Sequence, residues 1–378
     1  MIPTSEIHLF LIWKKGLPQA NMILDEIKQD FTVLDVQDIV WERRRIVQNL
    51  CRFYTNSKLI IFWKYLRCGG APVRMILVKD KAPTYMDRQT NAGIEKVNIH
   101  MFDSKKKYRK LMKNGHLIHG TNTTFEFMFN YMMLTGKAPN IKKINKMPEW
   151  NGVITKNKTE MPGTRPWKDF DELFSFIKNL DTFIVLRNFE NLPASCQLGP
   201  HSDIDILTST PKEFVRLLNL KRASLLPFRA IWRTPVADSF INMDIRSIQD
   251  GYYPTKIAQH LLNNKTINQN GIPIPLRKDY FYTLLYHALI HKYKIAKDYK
   301  KRLLNMGKEF GLYPPSGKNT EIFFTETLHE WMKDHNFSFT EPKDLTVNFN
   351  SKYTIDCKTS RLRKLKDFLF SFQKKEIY

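Results

Sequence analysis

The sequence predicts an α/β protein built as two units, and three observations carry that expectation. The chain has 378 residues, enough for two domains of ordinary size and an appendage. Short apolar strand-like runs alternate with helical periodicities in both halves. Hydrophobic residues make up 42% and aromatics 13%, which supplies packed cores and excludes global disorder.

The first unit runs over residues 1–136. His8–Trp13 is an apolar strand, too short for a signal-peptide core and with no basic residue before it. Gln19–Gln29 places Met22, Ile23 and Ile27 at helical spacing, and Phe31–Val40 returns as a β-rich stretch. Arg43–Tyr54 reads as a helix, Val73–Val78 as a buried strand and Thr124–Leu134 as an apolar helix. This order predicts a small α/β sandwich with a mostly antiparallel sheet. Residues 137–167 then break the pattern with Pro139, Pro148, Pro162 and Pro166 among lysines and asparagines. Such a basic, Pro-rich stretch reads as a linker or as an ordered strap across the surface.

The second unit covers residues 168–310. Phe170–Leu180 is an amphipathic helix, Thr182–Leu186 and Ile204–Leu207 are buried strands, and Pro211–Leu220 is a helix announced by Ser209, Thr210 and Pro211. Phe240–Ile245 is a third strand and Asp279–Tyr299 a long helix. Residues 311–378 form a helical, basic C-terminal extension. Its end, Lys358–Tyr378, carries seven Lys/Arg against two acids, with Leu362, Leu365, Phe368, Leu369 and Phe372 interleaved. That pattern is a terminal helix docked on the body or a contact with an anionic membrane surface.

Lys and Arg number 60 and Asp and Glu 37, a formal charge of +23. Such a balance favours anionic partners without choosing among nucleotides, phosphorylated glycans, nucleic acid and lipid. Cys51, Cys68, Cys196 and Cys357 form no CxxC or close Cys/His set, so they read as reduced thiols of a cytoplasmic protein, with contact to the inner face of a membrane left open. No stretch approaches a membrane span.

Chemistry concentrates in two places. The first is His201-Ser202-Asp203-Ile204-Asp205-Ile206-Leu207. Alternation on a strand puts Asp203 and Asp205 on one face while Ile204 and Ile206 enter the core. Two carboxylates on one face repel unless a cation lies between them, and Mg²⁺ prefers such oxygen ligands. Asp244, flanked by Met243 and Ile245, supplies a third acid from a later strand. This constellation resembles the polymerase β-like nucleotidyltransferase superfamily, with its hDhDh strand and third acid on a neighbouring strand. The resemblance implies a mixed sheet, Mg²⁺ or Mn²⁺ held by Asp203, Asp205 and Asp244, and Asp244 as the acceptor of a proton from an attacking hydroxyl. The family's phosphate-cradling Gly-Ser pair is replaced by Arg187-Asn188, of which Arg187 is suited to bidentate phosphate binding. Asp203→Asn or Asp205→Asn is expected to abolish transfer and leave the fold intact. His287 and His291, one helical turn apart, read as structural or phosphate-facing, and Lys292 and Lys297 as triphosphate contacts.

The second place is Asn114–Thr123, with His119 followed by Gly120, Thr121, Asn122 and Thr123. A neutral imidazole beside small polar residues can accept a phosphoryl group. With Lys14 after the first strand, Arg88, Thr90 and Arg109, the order resembles nucleoside diphosphate kinase. That implies a ferredoxin-like sandwich, phosphate contacts from Lys14, Arg88, Thr90, Arg109, Thr121 and Asn122, and His119 as the phosphorylated residue. The loop has Asn122 where the family has Asp, and the family's orienting Glu falls near Asn130. A purely structural His119 would instead be satisfied by Thr121. Lys105–Lys110 would sit near His119 and reads as a solvated charged face or as a site feature that draws in polyanions.

Together these features point to a metal-dependent nucleotidyl- or phosphoryl-transferase using a nucleoside triphosphate or nucleotide-sugar. The pairing resembles enzymes of bacterial surface-polysaccharide clusters, which implies a phosphorylated sugar, polyol or glycan acceptor. Three other readings remain. One is an RNA-directed nucleotidyltransferase, disfavoured because no stacking module with spaced aromatics is evident. Another is a kinase-like phosphotransferase with a non-catalytic second domain. The last is a docking module with both sites decayed.

Overall fold

The structure, a computed structural model, describes residues 5–54, 58–90, 93–193, 203–223, 231–317, 319–355, 357 and 359–364. It is a mixed α/β protein whose chain divides into two units, residues 1–166 with 216–219, and residues 167–215 with 220–378.

The first unit contains, in order, β1 (Glu6–Ile12), α1 (Ala20–Asp30), β2 (Thr32–Val40), α2 (Ile46–Tyr54), α3 (Lys58–Cys68), β3 (Val73–Asp80), β4 (Tyr85–Thr90), β5 (Gly93–Asn98), α4 (Ile99–Leu111), β6 (Ile118–Gly120), α5 (Thr124–Thr135), α6 (Ile141–Asn145) and β7 (Thr155–Lys158). The main sheet has the order β6-β1-β3-β2-β7 and is antiparallel except where β7 joins β2. Alternation in β1 sends Phe10 and Ile12 into a core with Ile23 and Ile27 of α1 and Met101 and Tyr108 of α4. Leu9 and Leu11 are buried as well, so β1 is covered on both faces.

The stretch 137–167 is ordered rather than a free linker. It forms α6 and β7, and β7 pairs with β2 from Gln37 opposite Thr155 to Val40 opposite Lys158. Its four prolines all lie outside these two elements, so none removes a needed donor. The β4–β5 hairpin has no apolar run to announce it, because Tyr85–Thr90 reads YMDRQT and is mostly solvent-facing. The Lys105–Lys110 run is not one solvated face. Helical periodicity in α4 buries Lys105 and Tyr108 and leaves Lys106 and Lys110 outside.

The second unit contains α7 (Phe170–Ile177), β8 (Phe183–Val185), β9 (Ile204–Thr208), α8 (Pro211–Leu217), β10 (Lys221–Arg222), β11 (Ile231–Val236), β12 (Ser239–Ser247), α9 (Thr255–Asn263), β13 (Lys265–Ile267), β14 (Pro273–Pro275), α10 (Arg277–Ile290), α11 (Lys297–Lys308) and α12 (Thr320–Asp334). Its sheet has the order β10-β11-β12-β9-β8. The β9–β12 pair at its heart is parallel and the other pairs are antiparallel. α10 is buried from Asp279 to Ile290.

The helix expected over Asp279–Tyr299 is broken after Ile290. The Ile290 carbonyl accepts the N–H of Asn350 at 2.8 Å instead of continuing the helical ladder, and α11 restarts at Lys297. Residues 311–364 are part of the second unit rather than a separate extension: buried Arg363 binds Glu341 Oε1 at 2.9 Å and the carbonyls of Pro342 and Val347. Of the basic tail only Arg361–Lys364 is seen as helix; residues 365–378 lie outside the described residues, as do His201 and Ser202. Among the described residues no helix is long and apolar enough to cross a membrane.

Candidate functional site

Parallel pairing of β9 with β12 sets Asp244 directly opposite Asp205. Neighbours in register on adjacent strands point to the same face, so the two carboxylates lie side by side while Ile204, Ile206, Met243 and Ile245 are buried. Both acids are themselves buried. Each has a guanidinium. Arg187, two residues after β8, grips Asp205 with a fork: Nε donates to Oδ2 at 3.1 Å and Nη2 to Oδ1. Arg246 donates from Nη2 to Asp244 Oδ2 at 2.7 Å and from Nη1 to Asp344 Oδ2 at 3.0 Å.

Asp244 Oδ1 is left buried with no hydrogen-bond partner. Burial, together with the charge of Asp205 and against the pull of Arg246, pushes the Asp244 carboxyl up to about 7. Tyr252 closes the arrangement. Its hydroxyl accepts from Arg187 Nη1 at 3.0 Å and sits 2.9 Å from His287 Nδ1, and its ring lies 4.4 Å from the Arg246 guanidinium. His287 and His291 are therefore part of the buried frame. Burial, with Arg187 nearby, keeps both imidazoles well below the usual range. Exposed Lys292 is close enough for its charge to interact with Arg187 and Asp205, and Lys297 is exposed at the start of α11.

Asp203 stands just before β9, half-buried. Among the described residues no group of three or more His, Cys, Asp or Glu side chains is arranged to hold a metal ion. The structure thus brings together two of the three expected acids. Arg187, expected to face phosphate, faces Asp205. Asn188 is exposed and adopts φ 56°, the left-handed conformation that favours Gly and tolerates Asn.

In the first unit, β6 carries His119 opposite Leu11 of β1. The following loop is fixed by the cap of α5. Thr123 Oγ1 accepts the N–H of Glu126 at 3.0 Å, Glu126 Oε2 accepts the N–H of Asn122 at 2.7 Å, and Gly136 ends the helix at φ 71°. His119 keeps 19% of its side chain exposed. Asn130 Nδ2 donates to its Nε2 at 3.0 Å, Glu126 Oε1 lies 3.5 Å away, and Phe53 meets the ring edge-on. Thr121 does not satisfy it. Thr121 is fully buried, its hydroxyl held by His8 Nδ1 at 3.1 Å and the N–H of Leu9 at 3.2 Å.

Of the charges near His119, Lys105 and Arg109 belong to the run expected beside it, and Lys64 was not expected. Lys105 Nζ donates to the Gly120 carbonyl at 3.0 Å and to Asn122 Oδ1. Arg109 Nε reaches the Ile118 carbonyl at 3.4 Å. Lys64 lies over the Tyr54 ring at 3.3 Å. Burial lowers both Lys64 and Lys105 to about 8. Enclosure, with Lys105, Arg109 and Lys64 around it, holds His119 well below the usual range and so neutral at pH 7.

The other expected phosphate contacts sit elsewhere. Arg88 faces Asp103 of α4 at 3.8 Å, and Thr90 bonds Gly93 and Glu95 within its hairpin. Lys14 is exposed in the turn after β1, its N–H on the Gly70 carbonyl. Asn130, where the resemblance put an orienting acid, is the residue that bonds His119, and Lys64 is the neighbour that no signal in the sequence selected. No family model, curated protein or solved structure matches this chain.

Proposed function

We propose that the second unit is a nucleotidyltransferase-like catalytic unit that transfers a nucleotidyl or phosphoryl group with the help of a divalent cation. The observation that carries this reading is the pairing of Asp205 and Asp244 on one face of parallel strands, with Asp244 Oδ1 buried and unpartnered. An open carboxylate oxygen beside a second carboxylate suits Mg²⁺ or Mn²⁺, which commonly bind one or two protein carboxylates and complete their shell with water and substrate phosphate. Asp205 and Asp244 would hold the ion, with water and substrate phosphate completing its shell. When bound, the cation neutralises phosphate charge.

The chain's own residues do the rest. Asp244 would also be the carboxylate placed to take a proton from an acceptor hydroxyl. Arg187 spans Asp205 and Tyr252, and releasing part of that fork would free donors for a phosphate. The left-handed Asn188 supports a nucleotidyltransferase-like turn, since it takes the backbone conformation a glycine would take there. The substrate would be a nucleoside triphosphate or nucleotide-sugar, and the acceptor a phosphorylated sugar, polyol or glycan.

We also infer that the first unit is a ferredoxin-like, nucleoside diphosphate kinase-like domain with a nucleotide or phosphate site around His119. The order β6-β1-β3-β2, with α1 after β1 and α4 before β6, supports that fold. A neutral His119 beside Lys105 and Arg109 supports an anion site.

The deciding experiment is thermal unfolding with MnCl₂ or MgCl₂ alone, then with nucleoside triphosphates added. The ion raises the melting temperature of the native protein by mass action and leaves Asp244→Asn unmoved. An equal rise in Asp244→Asn removes the cation site from β9 and β12.

A further inference from the structure

Residues 43–79 contain nine Lys/Arg and no Asp or Glu. Within this acid-free stretch lies α3, in which large apolar residues outnumber Lys58, Lys64 and Arg67. Large apolar side chains normally face a core, yet Leu59, Ile60, Phe62, Trp63 and Leu66 are between 43% and 69% exposed. At about 100° per residue these five fall on one side of the helix, opposite buried Ile61 and Cys68. Five large apolar side chains on one short helix are more than the scattered exposure of an ordinary surface.

The charge beside this face is basic. Arg67 is exposed and its Nη1 lies 3.1 Å from His116 Nε2, and Lys15 Nζ donates to the Leu66 carbonyl at 2.6 Å. Lys14 is exposed next to Lys15, with its backbone tied to Gly70 just beyond the helix. Cations therefore ring the C-terminal end of α3.

We propose that α3 is an interfacial anchor that docks the first unit on an anionic lipid surface. Leu59, Phe62, Trp63 and Leu66 enter the boundary between headgroups and acyl chains, and Lys14, Lys15 and Arg67 meet lipid phosphates. Only a lipid surface satisfies both features. A second copy would bring the same unneutralised cations to the same contact, and a nucleic-acid backbone would leave the aliphatic side chains in water.

The test is flotation of the full chain with vesicles of phosphatidylcholine alone or with about one third phosphatidylglycerol. The native protein floats with the anionic vesicles, not with pure phosphatidylcholine, and binds less at high salt. The triple variant Leu59→Ser, Phe62→Ser, Trp63→Ser keeps the native melting temperature, because these side chains are exposed, and binds about tenfold or more weakly. Phe368→Ser with Phe372→Ser binds as the native protein does. The proposal is overturned if the native protein does not float or if the α3 triple variant floats equally well. It is also overturned if the tail variant loses binding, or if sedimentation shows a native dimer that the triple variant dissolves.

Discussion

Asp205 and Asp244 look alike in the sequence, each an acid between apolar strand residues, and the structure gives them different surroundings. Among the described residues Asp205 is the one carboxylate in the fork of buried Arg187, whereas Arg246 holds both Asp244 and Asp344. The expectation that Asp205→Asn leaves the fold intact is therefore revised. Breaking this buried pair leaves Arg187 uncompensated and is expected to cost about 3–5 kcal/mol, while Asp244→Asn costs less because Arg246 retains Asp344. Urea unfolding of the two variants measures the difference.

Asp244 also has a pH signature. Without added cation its folded carboxyl titrates near 7, above the unfolded value of 3.8, so the native state binds the extra proton between those limits. Its contribution to stability falls as pH rises from about 4 to about 7. Asp244→Asn deletes that component, which is read from melting temperatures across the range. In the first unit, Lys105→Met removes a charge beside His119 and the donor to Gly120 and Asn122. It raises the His119 pKa, followed by NMR titration, and costs about 1–3 kcal/mol for the acceptors left unpaired.

At the scale of elements, β6 is tightly constrained. It is three residues long, and it places His119 between β1 and the cap of α5. Gly120 ends it where a Cβ would stand 2.7 Å from the Phe10 ring. Phe10 is fully buried against Phe31 and Tyr108, so it has little room to yield. Gly120→Ala is expected to destabilise by about 1–3 kcal/mol and to shift His119 as well, seen together as a lower melting temperature and a changed His119 NMR resonance. The elements that were legible either form a continuous apolar run, as in β1 and β3, or keep a period near 3.6, as in α7. The β4–β5 hairpin and β7 were among those that were not, since their mostly polar sequences carry no apolar run and take strand form by pairing with a neighbour. The end of α10 was equally hidden, because Asn350, sixty residues downstream, takes the Ile290 carbonyl.

Across the whole molecule, charge and buried histidines set the response to acid. His119, His287 and His291 are each held well below the usual imidazole range, by burial first and by nearby Arg or Lys next. Unfolding lets each take up a proton below about pH 6.5. Stability therefore falls as pH drops from 6.5, by up to about 1.4 kcal/mol per pH unit for each histidine engaged. The carboxyls of Asp244, Glu126 and Asp250, raised by burial, give the opposite slope; the native protein is expected to melt lower at pH 5 than at pH 7.5, and Asp244→Asn to steepen the decline. Calorimetry at the two pH values tests the sign.

The mixed α/β class, the first three strands of the main sheet and the acidic strand were written in local pattern, because side-chain periodicity is set by neighbours two to four residues away, whereas α4, β6, β11, α9 and α12 went unannounced. Pairing was not. That Asp205 meets Asp244, that Arg187 closes on Asp205 across 18 residues, and that Lys105 turns inward beneath His119 depend on strand register and on which helical face the core claims. Those choices are made by contacts between residues remote in the chain, so the acids could be named from sequence while their partners and their protonation could be decided only by the tertiary structure.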